Sequence, residues 1–245
     1  MAMNTEEKRL QRLLSTAWDN ARSSARSINQ GINLKPSAFD DVFHFTAGDA
    51  ASIAMEMKPV VFSVPERADK PTQHIFIVVE GRLAFDRAAL RDRNEVLAVG
   101  FGTHVGYFRQ KHTTLVHVYG AHYDFDEFGT GHPVFHHQMT NLTHLKDEVI
   151  ARYGLGISAY EDLVQPILRQ VRTPTAQVDA FSIIAQICAD HLLYKGSSAA
   201  ARASFRKVLQ HCNIYKGVGH RLGRLNSGDA PTCHRSLHWY PEGVP

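Results

Sequence analysis

The chain has 245 residues, 44% of them apolar and 21% charged, with 27 Lys and Arg against 24 Asp and Glu for a net charge of +3. That apolar share is ample for a packed core and excludes a disordered or collagen-like chain, and the length suits one large domain or two small ones. No apolar stretch approaches the roughly 18 residues of a membrane span, and the charged N-terminus carries no signal-like apolar core. The expectation is a soluble, cytoplasmic protein with no membrane partner.

In chain order, residues 5–28 read as an amphipathic helix. Asn4 or Thr5 caps it, Glu6 and Glu7 suit its positive end, and Leu10, Leu13, Leu14, Ala17, Ala21 and Ile28 recur at helical spacing. Between about 39 and 144 the texture becomes that of short β-branched and aromatic runs, at 60–64, 74–80, 95–101, 114–119 and 134–140. Pro65, Pro71, Gly81, Gly129 and Gly131 read as the turns between them. No helical crossover separates most of these runs, so the sheet is expected to be largely antiparallel, with a short helical connection over 86–94. Helical periodicity returns at 146–153 and continues over 158–171, where Ser158 and Glu161 form a capping-box pattern around a Pro166 kink. The longest helical pattern, over 176–194, follows Thr175 as its N-cap, and a further helix spans 198–211. The predicted class is α+β: an N-terminal helix (1–36), a largely antiparallel sheet with a His-rich hairpin (37–145), a C-terminal helical subdomain (146–216) and a basic, Gly-rich tail (217–245).

Three widely spaced cysteines without a CxxC pattern exclude a disulfide framework and a zinc knuckle, and Cys188 and Cys212 read as buried, inert thiols. Histidine is the unusual residue. Eight of the 15 fall between 104 and 144. Within this region His122, Asp124 and Asp126 alternate onto one face of a strand, and His136, Gln138 and Thr140 onto one face of a second. A turn over 127–131 would fold the second arm beside the first and bring His122, Asp124, His136 and Gln138 together.

Three chemistries use such a set. As metal ligands, His122, Asp124 and His136 would hold a divalent ion and leave positions open for water or substrate. Without metal, one carboxylate orients an imidazole while a second imidazole protonates a leaving group. Two histidines flanking a phosphodiester suit RNA cleavage through the 2′-hydroxyl, with Tyr123, Arg109 and Lys111 contacting the substrate and steadying charge. As a binding site, the same groups read a polar ligand. The short gap between His122 and His136 disfavours a cupin-like oxygenase. Glu80 and Asp86 are lesser candidates, while His104, His112, His117, His137 and His144 read as structural.

The segments HYDFD…HPVFHHQ at 122–138 and VRTPTAQVDAFSIIAQICADHLL at 171–193 resemble an uncharacterised group of bacterial proteins that carry HYD…HPxxHxQ ahead of a helical segment beginning RxPTxQxD. The resemblance covers some 80 residues and implies a bacterial, cytoplasmic protein without implying an activity.

Residues 100–106 miss the dinucleotide fingerprint, their glycines suiting a strand bulge, and Walker, HExxH, GxSxG and deaminase patterns are absent. Residues 195–245 hold eight Lys or Arg against Asp229 and Glu242, and from 215 onward these cations interleave with Tyr215, Trp239 and Tyr240. This composition suits nucleic acid or nucleotide binding, or docking to a protein partner or a second copy of the chain. The leading expectation is therefore a His/Asp-centred hydrolase cleaving a phosphodiester, nuclease-like, with a divalent metal as the cofactor if one is used. A toxin or anti-phage effector role would suit such an enzyme. The alternative is a non-catalytic binding or docking subunit of a bacterial assembly.

Overall fold

The computed structural model describes residues 4–28, 33–35, 42–46, 49–67, 70–125, 135–164, 172–174 and 179–214. The first helix, α1 (Thr5–Ile28), opens with a reciprocal cap: the Glu7 amide donates to Asn4 Oδ1 and the Asn4 amide to Glu7 Oε2, both at 2.9 Å. Its apolar stripe, including Leu10, Leu14, Trp18 and Ala21, is buried.

One mixed, mostly antiparallel sheet follows. Its strands are β1 (Asn33–Lys35), β2 (Phe43–Thr46), β3 (Ser52–Arg67), β4 (Lys70–Asp86), β5 (Ala98–Lys111), β6 (Thr114–Phe125), β7 (Phe135–Met139), β8 (Ala159–Asp162) and β9 (Arg172–Pro174). The order is β1-β3-β4-β5-β6-β7-β9, with β2 also on β3 and β8 on β6. The short helix α2 (Arg87–Asp92) joins β4 to β5, and Asp86 caps it by accepting from the Ala89 amide at 2.7 Å. Beyond β7 come a 3-10 turn (Thr143–Leu145), α3 (Lys146–Tyr153), α4 (Ala180–Leu192) and α5 (Ala199–Cys212).

The strands run longer than the sequence pattern predicts. Pro65, Pro71 and Gly81, expected as turns, lie inside β3 and β4. Gly81 is there for closeness: a Cβ at this position would sit 3.0 Å from the Gly102 carbonyl oxygen on the neighbouring strand. The predicted helix over 158–171 is corrected as well. Of β6, strand β7 pairs with the C-terminal half alone among the described residues, so residues 114–117 present an open edge, and residues 159–162 fill it as the parallel strand β8. The Ser158 amide donates to the Thr113 carbonyl (2.8 Å) and the Leu163 amide to that of His117 (3.0 Å), so the backbone is committed to the sheet. Pro166 lies outside the described residues. The long helix starts at Ala180, where buried Asp179 accepts from the amides of Phe181 and Ser182; the expected cap, Thr175, lies outside the described residues.

The two faces of the sheet have different fates. One face packs against α1, α4 and α5 in a single core, with Phe43 stacked on Phe181 and Trp18 edge-on to Phe62. The C-terminal helices α4 and α5 thus share this core with α1 rather than closing one of their own. On the other face, α3 covers only one end, over Val61, Phe76, Val78, Phe108 and Leu115. Residues 60–65 of β3 are buried without alternation because both faces are covered there. At the other end of this second face the outward-facing side chains turn polar. No helix among the described residues is long and apolar enough to cross a membrane.

Candidate functional site

The polar end of the second face is built by register. In the antiparallel β6–β7 pair, His122 opposes Gln138 and Asp124 opposes His136, so all four share one face, as the alternation of the two arms predicts. His122 Nε2 lies 3.4 Å from Asp124 Oδ2. The His122 and His136 rings meet edge to face, with centroids 5.9 Å apart. One donor atom from each of His122, Asp124 and His136 falls within 4.8 Å of the others. His136 is 3% exposed, whereas the His122 and Asp124 side chains are 23% and 39% exposed, so the group has a buried anchor and an open mouth. Gly102, opposite Asp124 on β5, sets no side chain against it, and a Cβ there would touch Asp124 Oδ1 at an ordinary contact distance of 3.4 Å.

A tetrahedral zinc with bonds of about 2.0–2.2 Å holds its donor atoms about 3.3–3.6 Å apart. The His122–Asp124 pair already has that spacing, and the His136 donor lies within 4.8 Å of both. Two imidazoles and a carboxylate on one open face can therefore bind a divalent ion and keep coordination positions for water or substrate. Asp126, His132 and Pro133, which the sequence also placed in this hairpin, lie outside the described residues.

Comparison with known protein families, curated proteins and solved structures finds no match. Function must be read from the residues.

Three substrate-contact candidates fall elsewhere. Tyr123 alternates onto the opposite face, where it is buried in the main core, stacks on His137 and shares a 3.5 Å hydrogen bond with Tyr119. Burial drives its phenol well above the ordinary tyrosine value, and the bond to Tyr119 adds to this. Arg109 and Lys111 lie at the far end of β5, opposite Val116 and Thr114, and Arg109 pairs with Glu66. About six residues of strand, roughly 20 Å, separate Arg109 from the register of His122. Asp86 is a helix cap. Of the histidines read as structural, His137 lies on the core face with its pKa lowered by burial, and His112 occupies the β5–β6 turn at φ 56°. His117 is fully buried, stacked on Phe108 and 3.0 Å from Asp162. Burial pushes the Cys188 thiol up to about 12, in keeping with an inert core cysteine.

The polar face extends further than the alternation within the hairpin indicates. Glu80 opposes His104, and His104 opposes His122, so the row Glu80–His104–His122–Gln138 crosses four strands. A second row, Glu56–Arg82–Gly102–Asp124–His136, runs beside it. His144 reaches the same face from the 3-10 turn, its Nε2 3.2 Å from Glu80 Oε1, while His104 Nδ1 lies 2.9 Å from the same oxygen. Burial raises the Glu80 pKa, but the hydrogen bonds and charges of His104 and His144 outweigh it, and the carboxyl sits below its ordinary value. A pocket of about 490 Å³ lies alongside, lined by Thr46, Glu56, Glu80, Arg82 and His104 among others. The signal available in the sequence was the tight turn at 112–113, which folds β5 onto β6 and brings His104 near His122.

Proposed function

We propose that the protein is a hydrolase of phosphodiester bonds centred on His122, Asp124 and His136, which hold a divalent transition-metal ion. The observation that carries this reading is the convergence of two imidazoles and a carboxylate at the open end of a sheet face. A metal there lowers the pKa of a bound water and polarises a phosphoryl oxygen. Gln138, opposite His122, positions the substrate. Arg82 takes the phosphate-contacting role expected of Arg109: it follows Asp124 and Gly102 in the same cross-strand row, and Gly102 puts no side chain between them. We place the activity in the cytoplasm and take nucleic acid or a nucleotide as the substrate class, engaged also by the basic segment beyond residue 214, which lies outside the described residues.

The test measures cleavage of labelled RNA and DNA oligonucleotides and of bis-p-nitrophenyl phosphate with zinc or manganese supplied. His122→Ala and His136→Ala are each expected to lower kcat at least 100-fold, and Arg82→Ala to raise KM. Cleavage undiminished in both histidine variants, or no cleavage of any of these substrates, overturns the reading. A second reading, metal-free acid–base chemistry, draws on the 3.4 Å contact by which Asp124 can orient the His122 ring. Cleavage that persists in excess chelator but is lost in the histidine variants selects it.

A further inference from the structure

Glu80, His104 and His144 come from three separate elements: β4, β5 and the 3-10 turn after β7. Each supplies one donor atom, and the three atoms lie within 4.8 Å of one another. The turn that delivers His144 is held firmly. Leu142 and Leu145 on either side are buried beneath α3, and Asn141 Oδ1 accepts the Thr143 amide at 2.8 Å. His144 is thus presented to Glu80 by a fixed backbone. The exposed flanks of His104 and His144, 43% and 57%, give an ion direct access from solvent.

From this geometry we propose that Glu80, His104 and His144 form a second site for a divalent transition-metal ion, separate from the one at His122, Asp124 and His136. Two imidazoles now directed at a single carboxylate oxygen are the ligand set that zinc, cobalt or manganese takes. A bound ion would stand where the two ring N–H protons now face Glu80, each ring carrying its proton on its other nitrogen or, if an imidazolium, releasing one proton to solvent.

The two sites are neighbours but not one bridged centre. The first lies over β6 and β7 and the second over β4 and β5, so their middles are about two strand spacings, roughly 10 Å, apart. Bridged pairs need about 3.5–4 Å, and each carboxylate here serves its own cluster. The second ion instead sits beside the pocket lined by Glu56, Arg82 and His104, where it offers a positive charge to an anionic group reaching along the face from the first site. The site itself stands on its own residues; only this use of it rests on the proposed hydrolase reading.

The test is calorimetric titration of the metal-stripped full chain with zinc, repeated with cobalt so that d–d absorption reports nitrogen and oxygen ligation. Wild type is expected to bind two ions per chain. Glu80→Gln and His144→Ala are each expected to bind one, with the remaining ion lost only on adding His136→Ala. His144 is more than half exposed, so its alanine variant preserves the fold, checked by circular dichroism without metal. Unchanged stoichiometry in both Glu80→Gln and His144→Ala overturns the second site. One ion lost with His136→Ala but not with Glu80→Gln overturns it while the first site stands. One ion lost with Glu80→Gln but not with His136→Ala upholds it and removes the first.

Discussion

His191 lies near the end of α4 with its ring 5.7 Å from that of Tyr107. Burial lowers its pKa from 6.5, opposed in part by the backbone of Glu66 and Pro65 and by the charges of Asp190 and Glu66. The folded chain therefore resists a proton that the unfolded chain takes up. His191 contributes full stability above about pH 6.5, and this is lost as the pH falls from there toward the lowered folded value. The expected outcome is that His191→Asn gains stability relative to wild type between pH 7 and pH 5. Urea unfolding at the two pH values checks this, and parallel curves for the two proteins would contradict it. The same physics operates at Tyr123, where burial rather than substrate explains a residue whose neighbours in sequence, His122 and Asp124, face the other way.

Among the elements, the β5–β6 hairpin decides the site. Near its turn, Lys111 pairs with Thr114 and Phe108 with His117, but beyond Val118 the register moves by one residue, so that Tyr107 pairs with Tyr119 and His104 with His122. Without that bulge His104 would oppose Ala121 and the polar row would be broken. Gly120, two residues past the bulge, is where the chain packs most closely. His117 folds over it so closely that a Cβ would lie 2.7 Å from His117 Nε2 and 2.4 Å from the Thr140 carbonyl oxygen. Gly120→Ala is expected to cost about 1–3 kcal/mol by overpacking, read as a lower urea midpoint at unchanged m-value. A midpoint equal to wild type would show that the His117 ring and the Thr140 carbonyl give way without cost.

Across the whole molecule, one sheet carries two jobs on its two sides. The core face buries aromatic and aliphatic side chains under three helices, while the other face is apolar beneath α3 and polar beyond it. Because the proposed ligands come from β4, β5, β6, β7 and the following turn, metal binding draws on the folded sheet and should stabilise it. At a free zinc concentration about 100 times Kd, the linkage amounts to about 2.7 kcal/mol for each ion bound, or roughly 5–10 °C in Tm per ion for a chain of this size. Differential scanning fluorimetry is expected to show this shift in wild type and a smaller one in His136→Ala. Equal shifts in both would mean that zinc binds elsewhere.

Local pattern carried much of this. The span of α1 with a cap at Asn4 or Thr5, the α+β class and the shared face of His122, Asp124, His136 and Gln138 were all legible, because helical and strand periodicities act over neighbouring residues. The strand at 159–162 was not, since its partner is an open edge more than forty residues away, and a capping-box pattern pointed locally to a helix. Nor was the alignment of Glu80, His104 and His144 with the hairpin. A one-residue bulge at Val118 and the pairing of distant strands settle which side chains meet, and such register depends on packing that no short stretch of sequence contains.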